Sequence, residues 1–231
     1  MGAEPEKISI VIPVFNEGVH IEKFLGDLFR SFAEKERPEV IVVDDGSTDD
    51  TPERLEKYGM ETIRHERRSG YGASLKSGIR RATGEYICII DADNTYSADD
   101  ILPISSEVAG YDMVVGDRQD DDERPKDHLL AKKSVEKILS NISGVRVEDL
   151  NSGLRIMRKD ILVKYLDSLP NGFSFTSSLT LIMLLKKYRI KYIPIRYERR
   201  EKGTKVRRVM FVAAFVSGYL KILCRYFTGR L

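Results

Sequence analysis

Short apolar runs alternate with helix-like apolar spacing through the first 118 residues, and this alternation restricts the fold more than any other feature. Ile8–Val14 and Val40–Val43 are mostly apolar runs of strand length. Between them, from Val19 to Phe32, apolar residues recur at intervals of three and four, as they do on one face of a helix. Strands that alternate with helices in this way form a parallel sheet with helices on both faces. The sequence therefore predicts an α/β fold.

The same two patterns continue along the chain and become mainly helical after residue 125. Further strands are predicted at Glu61–His65, Tyr86–Ile90, Met113–Gly116 and Tyr192–Tyr197. Further helices are predicted at Gly72–Ala82, Asp99–Val108, Leu129–Ile142, Lys159–Leu166 and Thr176–Lys187. Thr51 is predicted to be the N-cap of one more helix because Pro52 follows it. No repeat or flexible linker divides the chain, so we predict one domain.

Polar and acidic residues follow four of the predicted strands at the point where each strand ends. In sheets of this class, ligands bind beyond the carboxyl ends of the strands. The residues concerned are Asn16 and Glu17 after the first strand, Asp44 and Asp45 after the second, Asp91 and Asp93 after the fourth, and Asp117 and Arg118 after the fifth. Because these strand ends share one edge of the sheet, their carboxylates indicate a binding site.

Asp91 and Asp93 come directly after the apolar run Ile87–Ile90. Two carboxylates so close to a buried strand are costly unless another charge compensates them. Carboxylate oxygens are the ligands that Mg²⁺ and Mn²⁺ prefer, and Mg²⁺ in particular takes its other ligands from water and substrate phosphates. We therefore predict that Asp91 and Asp93 hold a divalent cation, which in turn binds a diphosphate.

The same residues also fit the D-x-D-x-T nucleophile motif of phosphatases of the haloacid dehalogenase type. Asp91 would be the nucleophile, and Gly116-Asp117 with Asp120 and Asp121 would imitate the later acidic motif. In those enzymes, however, the nucleophile follows the first strand of the domain, whereas three predicted strands precede Asp91. The 25-residue spacing to Gly116 is also short, so the metal interpretation is preferred.

The acidic segment Asp44–Asp49 is predicted to bind the nucleoside part of a nucleotide. A carboxylate at the end of the second strand of a dinucleotide fold accepts bonds from ribose hydroxyls. A turn and a helix cap account for Ser47–Thr51, but not for two consecutive acids. The segment Gly70-Tyr71-Gly72 lacks the third glycine of a dinucleotide fingerprint. It serves either to pass the backbone close to a nucleotide or to start a helix.

The succession VIPVFNE, VDDGSTD and GYGASLKSGIRRATGEYICIIDAD resembles the family-2 glycosyltransferases, which have the nucleotide-sugar-binding GT-A fold. The Asp-Ala-Asp form, Asn151–Arg155 and GFSFTSSLTL resemble the polyprenyl-phosphate branch, the dolichyl-phosphate mannose or glucose synthases. The resemblance implies an inverting glycosyltransferase that moves a hexose, mannose or glucose, from a GDP- or UDP-sugar to a polyprenyl (dolichyl) phosphate. It also implies a GT-A sheet that is mostly parallel.

The resemblance also implies residue roles, position by position. The nucleotide-binding residues would be Pro13, Phe15, Glu17, Asp44, Asp45 and Asp91, and the ligands of Mg²⁺ or Mn²⁺ would be Asp91 and Asp93. The catalytic residues would be Asp91, Asp93, Arg118 and Arg155, and the acceptor phosphate would be held by Arg118, Arg200, Lys202 and Lys205. Asn94 and Ser177-Ser178 depart from relatives of this branch, so the sugar and the base stay open.

The acceptor determines which catalytic groups are needed. A lipid phosphate is already anionic, so it requires positioning by arginine and lysine rather than a general base. A sugar hydroxyl would require a base, for which Asp149 is the candidate, and a soluble family-2 enzyme of this kind is the nearest alternative. A nucleotide-binding module without catalysis is a third hypothesis.

The chain ends in a basic segment that contains no acidic residue after Glu201. We predict a GT-A catalytic domain of residues 1–205, with a nucleotide-sugar half of 1–118 and an acceptor half of 119–205. Residues 206–231 are predicted to form a basic amphipathic tail that lies in a membrane interface or packs on the domain. The apolar run Val209–Cys224 is too short to span a bilayer. The expected location is therefore cytoplasmic and peripheral at the membrane face, unless a transmembrane region has been removed.

Overall fold

The computed structural model describes residues 7–33, 37–59, 61–119, 136–137, 139–141, 143–198, 208–229 and 231, and only the backbone of residues 208–217. Within these residues the strands are β1 Ile8–Val14, β2 Glu39–Asp44, β3 Glu61–Arg64, β4 Tyr86–Ile89, β5 Met113–Arg118, β6 Arg155–Arg158 and β7 Ile190–Ile195. The α-helices are α1 Gly18–Ser31, α2 Thr51–Glu56, α3 Tyr71–Arg81, α4 Ile101–Ser105, α5 Lys159–Tyr165, α6 Phe175–Leu185 and α7 Arg208–Phe227.

The strands form one sheet in the order β3-β2-β1-β4-β6-β5-β7. Every neighbouring pair is parallel except the two that involve β6, which runs antiparallel between β4 and β5. The predicted mostly parallel sheet is therefore confirmed. β6 itself was not predicted, because only Ile156 and Met157 lie between its two arginines and so short a segment shows no period.

The sheet separates two apolar cores, as a sheet with helices on both faces requires. On one face α1, α2 and α4 bury side chains such as Phe24, Leu55 and Ile101. On the other face α3, α5 and α6 bury side chains such as Leu75 and Leu179. Neighbouring residues of β1, β2, β4 and β5 alternate between the two cores because successive side chains point to opposite faces.

The boundaries of several helices differ from the prediction. The predicted helix Asp99–Val108 is broken into a 3₁₀ turn at Ala98–Asp100, α4, and a second 3₁₀ turn at Val108–Gly110. Most of the predicted helix Leu129–Ile142 lies outside the described residues, although 139–141 are helical. The helix predicted to have Thr51 as its N-cap instead has Asp50 in that position and begins at Thr51.

The described part of the predicted tail packs on the domain as the end of α7. Gly218 is buried, and a Cβ added to it would lie 3.1 Å from Ser174 Oγ and 3.3 Å from Ser178 Oγ. Ile222, one turn further along, is also buried in the core that contains α6. None of the described helices is both long enough and apolar enough to cross a lipid bilayer.

The order of the strands indicates where a ligand binds. The chain leaves β1 towards β2 on one side, whereas β4 lies on the other side of β1. This reversal creates a crevice outside the carboxyl ends of β1 and β4, the usual ligand site of open α/β sheets. Phe15 follows β1 and Asp91 follows β4, so both residues lie at the crevice.

Candidate active site

The loop after β2 forms hydrogen bonds with the segment between β1 and the start of α1. Ser47 Oγ accepts a hydrogen bond from the backbone N–H of Asn16 at 2.9 Å, and Thr51 Oγ1 accepts one from Glu17 N at 2.9 Å. Asp49 Oδ2 accepts one from Gly18 N at 3.3 Å. Gly-Ser-Thr-Asp was expected to cap the helix that follows it, and Asp49 Oδ1 accepts a hydrogen bond from Thr51 N, the first residue of α2, at 3.1 Å. The same loop also holds the backbone that leads into α1.

Asp45 uses both carboxylate oxygens to anchor the loop that precedes α3. Its Oδ1 accepts from Ser69 N and its Oδ2 from Gly70 N, each at 2.8 Å. His65 Nδ1 also lies 2.8 Å from Asp45 Oδ1. Asp45 therefore has a structural role, and its role as a nucleoside ligand stays a prediction.

Asp44 has a different environment from its neighbour. Its Oδ1 accepts a hydrogen bond from Ser47 N at 2.9 Å. Its Oδ2 is buried, has no hydrogen-bond partner among the described residues and forms an ion pair with the more exposed Arg64, whose Nε lies 3.4 Å away. The role of Asp44 as a nucleoside ligand stays a prediction.

Asp91 is a buried carboxylate whose ionised form is destabilised by its surroundings. Its Oδ1 is buried and has no hydrogen-bond partner among the described residues. Burial, together with the charge of Asp93, raises its pKa to about 6, although Tyr71, Arg118 and Arg155 oppose the shift. A buried oxygen without a partner beside a second carboxylate is stabilised by a cation. The donor set therefore fits a divalent metal.

Asp93 is held by its own turn. Its Oδ1 accepts hydrogen bonds from Thr95 N at 3.1 Å and from Thr95 Oγ1 at 2.6 Å. Asn94 between them has a left-handed backbone, with φ of 59°. Within the described residues no three His, Cys, Asp or Glu side chains form a metal-binding group. A cation at Asp91 and Asp93 would take its remaining ligands from water and phosphate oxygens.

Gly153 forms the wall of the site next to Asp91. A Cβ at this position would lie 2.3 Å from Asp91 Oδ2, so a larger residue would force the carboxylate out of its present position. Its backbone N–H donates to Tyr96 Oη at 2.7 Å. The Tyr96 ring in turn packs edge-to-face against the Tyr197 ring, with 5.1 Å between the ring centres. Sequence reasoning found the segment around Gly153 but missed this contact, which joins β6 to the end of β4.

Arg118 is bound to the protein at the end of β5. Its Nε donates to Asp149 Oδ2 at 2.7 Å and its Nη2 to Asp149 Oδ1 at 3.0 Å. The Arg118 side chain is 12% exposed, while the Asp149 side chain is fully buried. Arg118 thus ends β5 with its guanidinium oriented by a bidentate ion pair, and its catalytic role stays a prediction.

Arg155 does not reach the crevice, which corrects its expected place beside the reacting phosphates. The side chain is completely buried, and its nitrogens donate to Ser152 O, Thr176 O and Thr180 Oγ1 at distances from 2.5 to 3.1 Å. Burial lowers its pKa. It supports the floor of the site and ties β6 to α6, which no local sequence pattern indicated.

The structure shows what Gly70 and Gly72 do at the start of α3. Gly70, with φ of 108°, immediately precedes α3, and a Cβ there would lie 2.5 Å from Asn171 O. A Cβ on Gly72 would lie 2.2 Å from Pro170 O. These glycines therefore start a helix and let it pack on the loop before α6, the second of their two predicted uses.

The remaining predicted residues divide into those at the crevice and those outside the described residues. Pro13, Phe15 and Glu17 are partly exposed at the end of β1. Their position agrees with the predicted nucleotide pocket, while their role stays a prediction. Arg200, Lys202 and Lys205, predicted to hold the acceptor phosphate, lie outside the described residues.

Comparison with protein families identifies the chain. Residues 9–166, more than half of its 231 residues, match Glycosyl transferase family 2. The chain belongs to glycosyltransferase family 2. The carboxylates at the ends of β2 and β4 lie inside the matched segment, so the crevice described above is the candidate active site of a glycosyltransferase.

Two relatives are named for sugar transfer to polyprenyl phosphates, which confirms the predicted resemblance to that branch. The dolichyl-phosphate hexose transferase of Haloferax volcanii is 28% identical over 205 residues, which cover 87% of this chain and 87% of the relative. The dodecaprenyl-phosphate galacturonate synthase of Rhizobium johnstonii is 31% identical over 173 residues. That match covers 68% of this chain and 49% of the relative, so the chain spans about half of its length.

A solved glycosyltransferase structure has the same fold. Glucosyl-3-phosphoglycerate synthase of Mycobacterium tuberculosis, crystallised with Mn²⁺, UDP-glucose and phosphoglyceric acid, matches with a TM-score of 0.73. The match covers 94% of this chain and 79% of that chain at 19% identity. At this identity the likeness shows the fold alone, and the predicted GT-A fold is confirmed.

Proposed function

We propose that the protein is a metal-dependent inverting glycosyltransferase that moves a hexose from a GDP- or UDP-sugar to a polyprenyl phosphate. The observation that carries the proposal is the buried Oδ1 of Asp91, which has no hydrogen-bond partner among the described residues and lies beside Asp93. The names of the polyprenyl-phosphate relatives support the acceptor. The Mn²⁺ in the solved structure of the same fold supports the metal.

In this mechanism Asp91 and Asp93 would hold Mg²⁺ or Mn²⁺ against the donor diphosphate. The ion would neutralise the charge that develops on the leaving nucleoside diphosphate. Neighbouring residues position the two carboxylates. The absence of a side chain at Gly153 leaves room for the Asp91 carboxylate, and the hydrogen bond from Thr95 N orients Asp93. Asp44 is the candidate to accept hydrogen bonds from the ribose hydroxyls of the nucleoside.

The acceptor phosphate would attack the anomeric carbon without a general base, because it is already anionic. Arg118 is the described cation best placed to orient it, since Asp149 fixes the guanidinium from behind. The alternative, a sugar hydroxyl activated by Asp149, is disfavoured by the same ion pair. Both Asp149 oxygens accept from Arg118, and the carboxylate has no exposed surface, so it cannot collect a substrate proton in this arrangement.

We also propose that α7 faces a membrane. Its buried face holds Gly218 and Ile222, whereas Leu220 and Phe227 are 61% and 79% exposed. Two residues seven positions apart lie on the same side of a helix, so these apolar side chains share the outward face. Lys221 is exposed beside them. Exposed apolar side chains beside a basic one suit an anionic lipid surface.

The transfer reaction is tested with GDP-mannose, GDP-glucose and UDP-glucose, each with a polyprenyl phosphate and Mn²⁺. We expect one donor to yield a sugar lipid that partitions into organic solvent, and chelation by EDTA to stop its formation. Transfer to free sugars but not to the lipid phosphate would favour the hydroxyl acceptor. Binding of nucleotide with no transfer to either acceptor would contradict the enzyme assignment.

Membrane binding is tested by sedimentation with vesicles of phosphatidylcholine alone or mixed with phosphatidylserine. The wild type should sediment with the anionic vesicles, and Phe227→Ser should sediment less. Val163→Ser is the matched control, because Val163 is an exposed aliphatic residue of α5 at 47% exposure. Equal sedimentation of all three proteins would rule out the α7 surface.

A further inference from the structure

Tyr197 packs against the guanidinium of Arg118, a contact that no local sequence pattern indicates. The guanidinium carbon lies 5.1 Å from the centre of the Tyr197 ring. A cation over the face of an aromatic ring is attracted by the ring quadrupole. Tyr197 is only partly exposed, and its ring covers one face of the guanidinium.

The ion pair with Asp149 leaves the Arg118 guanidinium one movement. Of the side-chain nitrogens of Arg118, only Nε and Nη2 donate to a described residue, and both donate to Asp149. These two contacts fix one edge of a planar group, but the plane can still tilt about that edge. Nη1, at the opposite corner, would move most. The Tyr197 ring supplies a third contact, which blocks the tilt towards its side.

Tyr197 is itself held by the turn that carries Asp93. It forms an antiparallel β-bridge with Tyr96, and Glu198 N donates to Thr95 O at 2.9 Å. Thr95 is also the residue whose N–H and hydroxyl bind the Asp93 carboxylate. A short chain of contacts therefore connects a proposed metal ligand to the aromatic ring that covers the guanidinium.

We propose that Tyr197 is a positioning residue for the acceptor, because it fixes the plane of the Arg118 guanidinium before the acceptor phosphate binds to Nη1. The inference rests on the proposed function, since it takes Arg118 as the cation that orients that phosphate. The charge of Arg118 opposes the rise in the pKa of Asp91, so an acceptor on this arginine would lie close to the proposed metal site. A group whose orientation is fixed beforehand loses less entropy on binding.

The test compares kcat and KM for farnesyl phosphate, a short polyprenyl phosphate, at saturating Mn²⁺ and donor. Tyr197→Leu keeps an apolar side chain but loses the ring, so its KM for farnesyl phosphate should rise about tenfold. Its KM for the donor should stay that of the wild type. Tyr197→Phe keeps the ring face and should restore the acceptor KM to within about twofold of the wild type.

Two further variants complete the test. Arg118→Lys keeps the charge but has no plane to fix, so its acceptor KM should rise at least as much as that of Tyr197→Leu. Tyr111→Leu is the matched control and should leave both KM values unchanged. Tyr111 is also partly exposed and has a cation over its ring, with Lys191 Nζ 5.4 Å from the ring centre, but it precedes β5, whereas Arg118 ends that strand.

Four results would overturn the inference. An unchanged acceptor KM in Tyr197→Leu would mean that Asp149 suffices, and an unchanged acceptor KM in Arg118→Lys would mean that the plane is unimportant. Equal rises in the KM of donor and acceptor would mean that Tyr197 supports the whole site. A Tyr197→Phe as weak as Tyr197→Leu would assign the effect to the hydroxyl.

Each of these four results leaves the proposed function intact. A wild type that transfers sugar from no donor to farnesyl phosphate or to a longer polyprenyl phosphate would overturn both proposals together.

Discussion

Asp91, which we propose binds the metal, is a buried carboxylate that destabilises the folded protein when it is ionised. Burial and Asp93 raise its pKa to about 6 from an ordinary value of 3.8. The folded state therefore holds this proton more tightly than the unfolded state does. The stability contributed by the protonated carboxyl is fully present below pH 3.8 and is lost as the pH rises through 6.

We predict that Asp91→Asn makes the metal-free protein more stable at pH 7.5, by about 1–3 kcal/mol, because it removes a buried charge. The advantage should shrink between pH 6 and pH 4, where the wild-type carboxyl becomes protonated. Urea unfolding in EDTA at several pH values measures the difference. A variant that is less stable than the wild type at pH 7.5 would contradict this account of Asp91.

Gly153 provides a second residue-scale prediction. Gly153→Ala would place a Cβ 2.3 Å from Asp91 Oδ2, so the carboxylate must move away from its present position. We expect the variant to fold but to lose most Mn²⁺-dependent nucleotide binding, measured by calorimetry. Gly110→Ala is the control, since no atom lies within 4 Å of its added Cβ. Wild-type nucleotide affinity in Gly153→Ala would show that the present position of the Asp91 carboxylate is not needed for binding.

At the scale of elements, α3 packs on the sheet through Gly78. A Cβ at Gly78 would lie 2.4 Å from Val11 Cγ1, so we predict that Gly78→Ala destabilises the protein by about 1–3 kcal/mol. Gly26 lies in α1, and a Cβ added to it would have no neighbouring atom within 4 Å, so Gly26→Ala should stabilise the protein by about 0.5–1 kcal/mol. Chemical unfolding compares the two. The same sign for both substitutions would contradict the close packing of α3.

The elements that sequence could predict are those with a local period. β1, β2, β4 and β5 are apolar runs, and α1 has an apolar face, so each follows from its own residues. β6 and its Arg155 do not, because that arginine is buried by acceptors on α6. Likewise the acids after β2 and β4 were predictable from the ends of their strands. Their partners, the loop at Ser69 and the wall at Gly153, are distant in sequence.

At the scale of the whole molecule, the sheet brings the two parts of the site together. The crevice between β1 and β4 joins the loop that carries Phe15 to the turn that carries Asp91. The segment before β6 then forms the wall of the site next to Asp91 through Gly153. The central claim is that Asp91 and Asp93 bind a cation that binds a nucleoside diphosphate.

The most direct test is thermal unfolding of the wild type and Asp93→Ala with UDP or GDP, each with Mn²⁺ and with EDTA. With ligand at about 100 times its Kd, the wild type should gain about 2.7 kcal/mol, which raises Tm by about 5–10 °C. The gain should require Mn²⁺ and be absent from Asp93→Ala. A wild type that gains nothing, or an Asp93→Ala that gains equally, would contradict the claim.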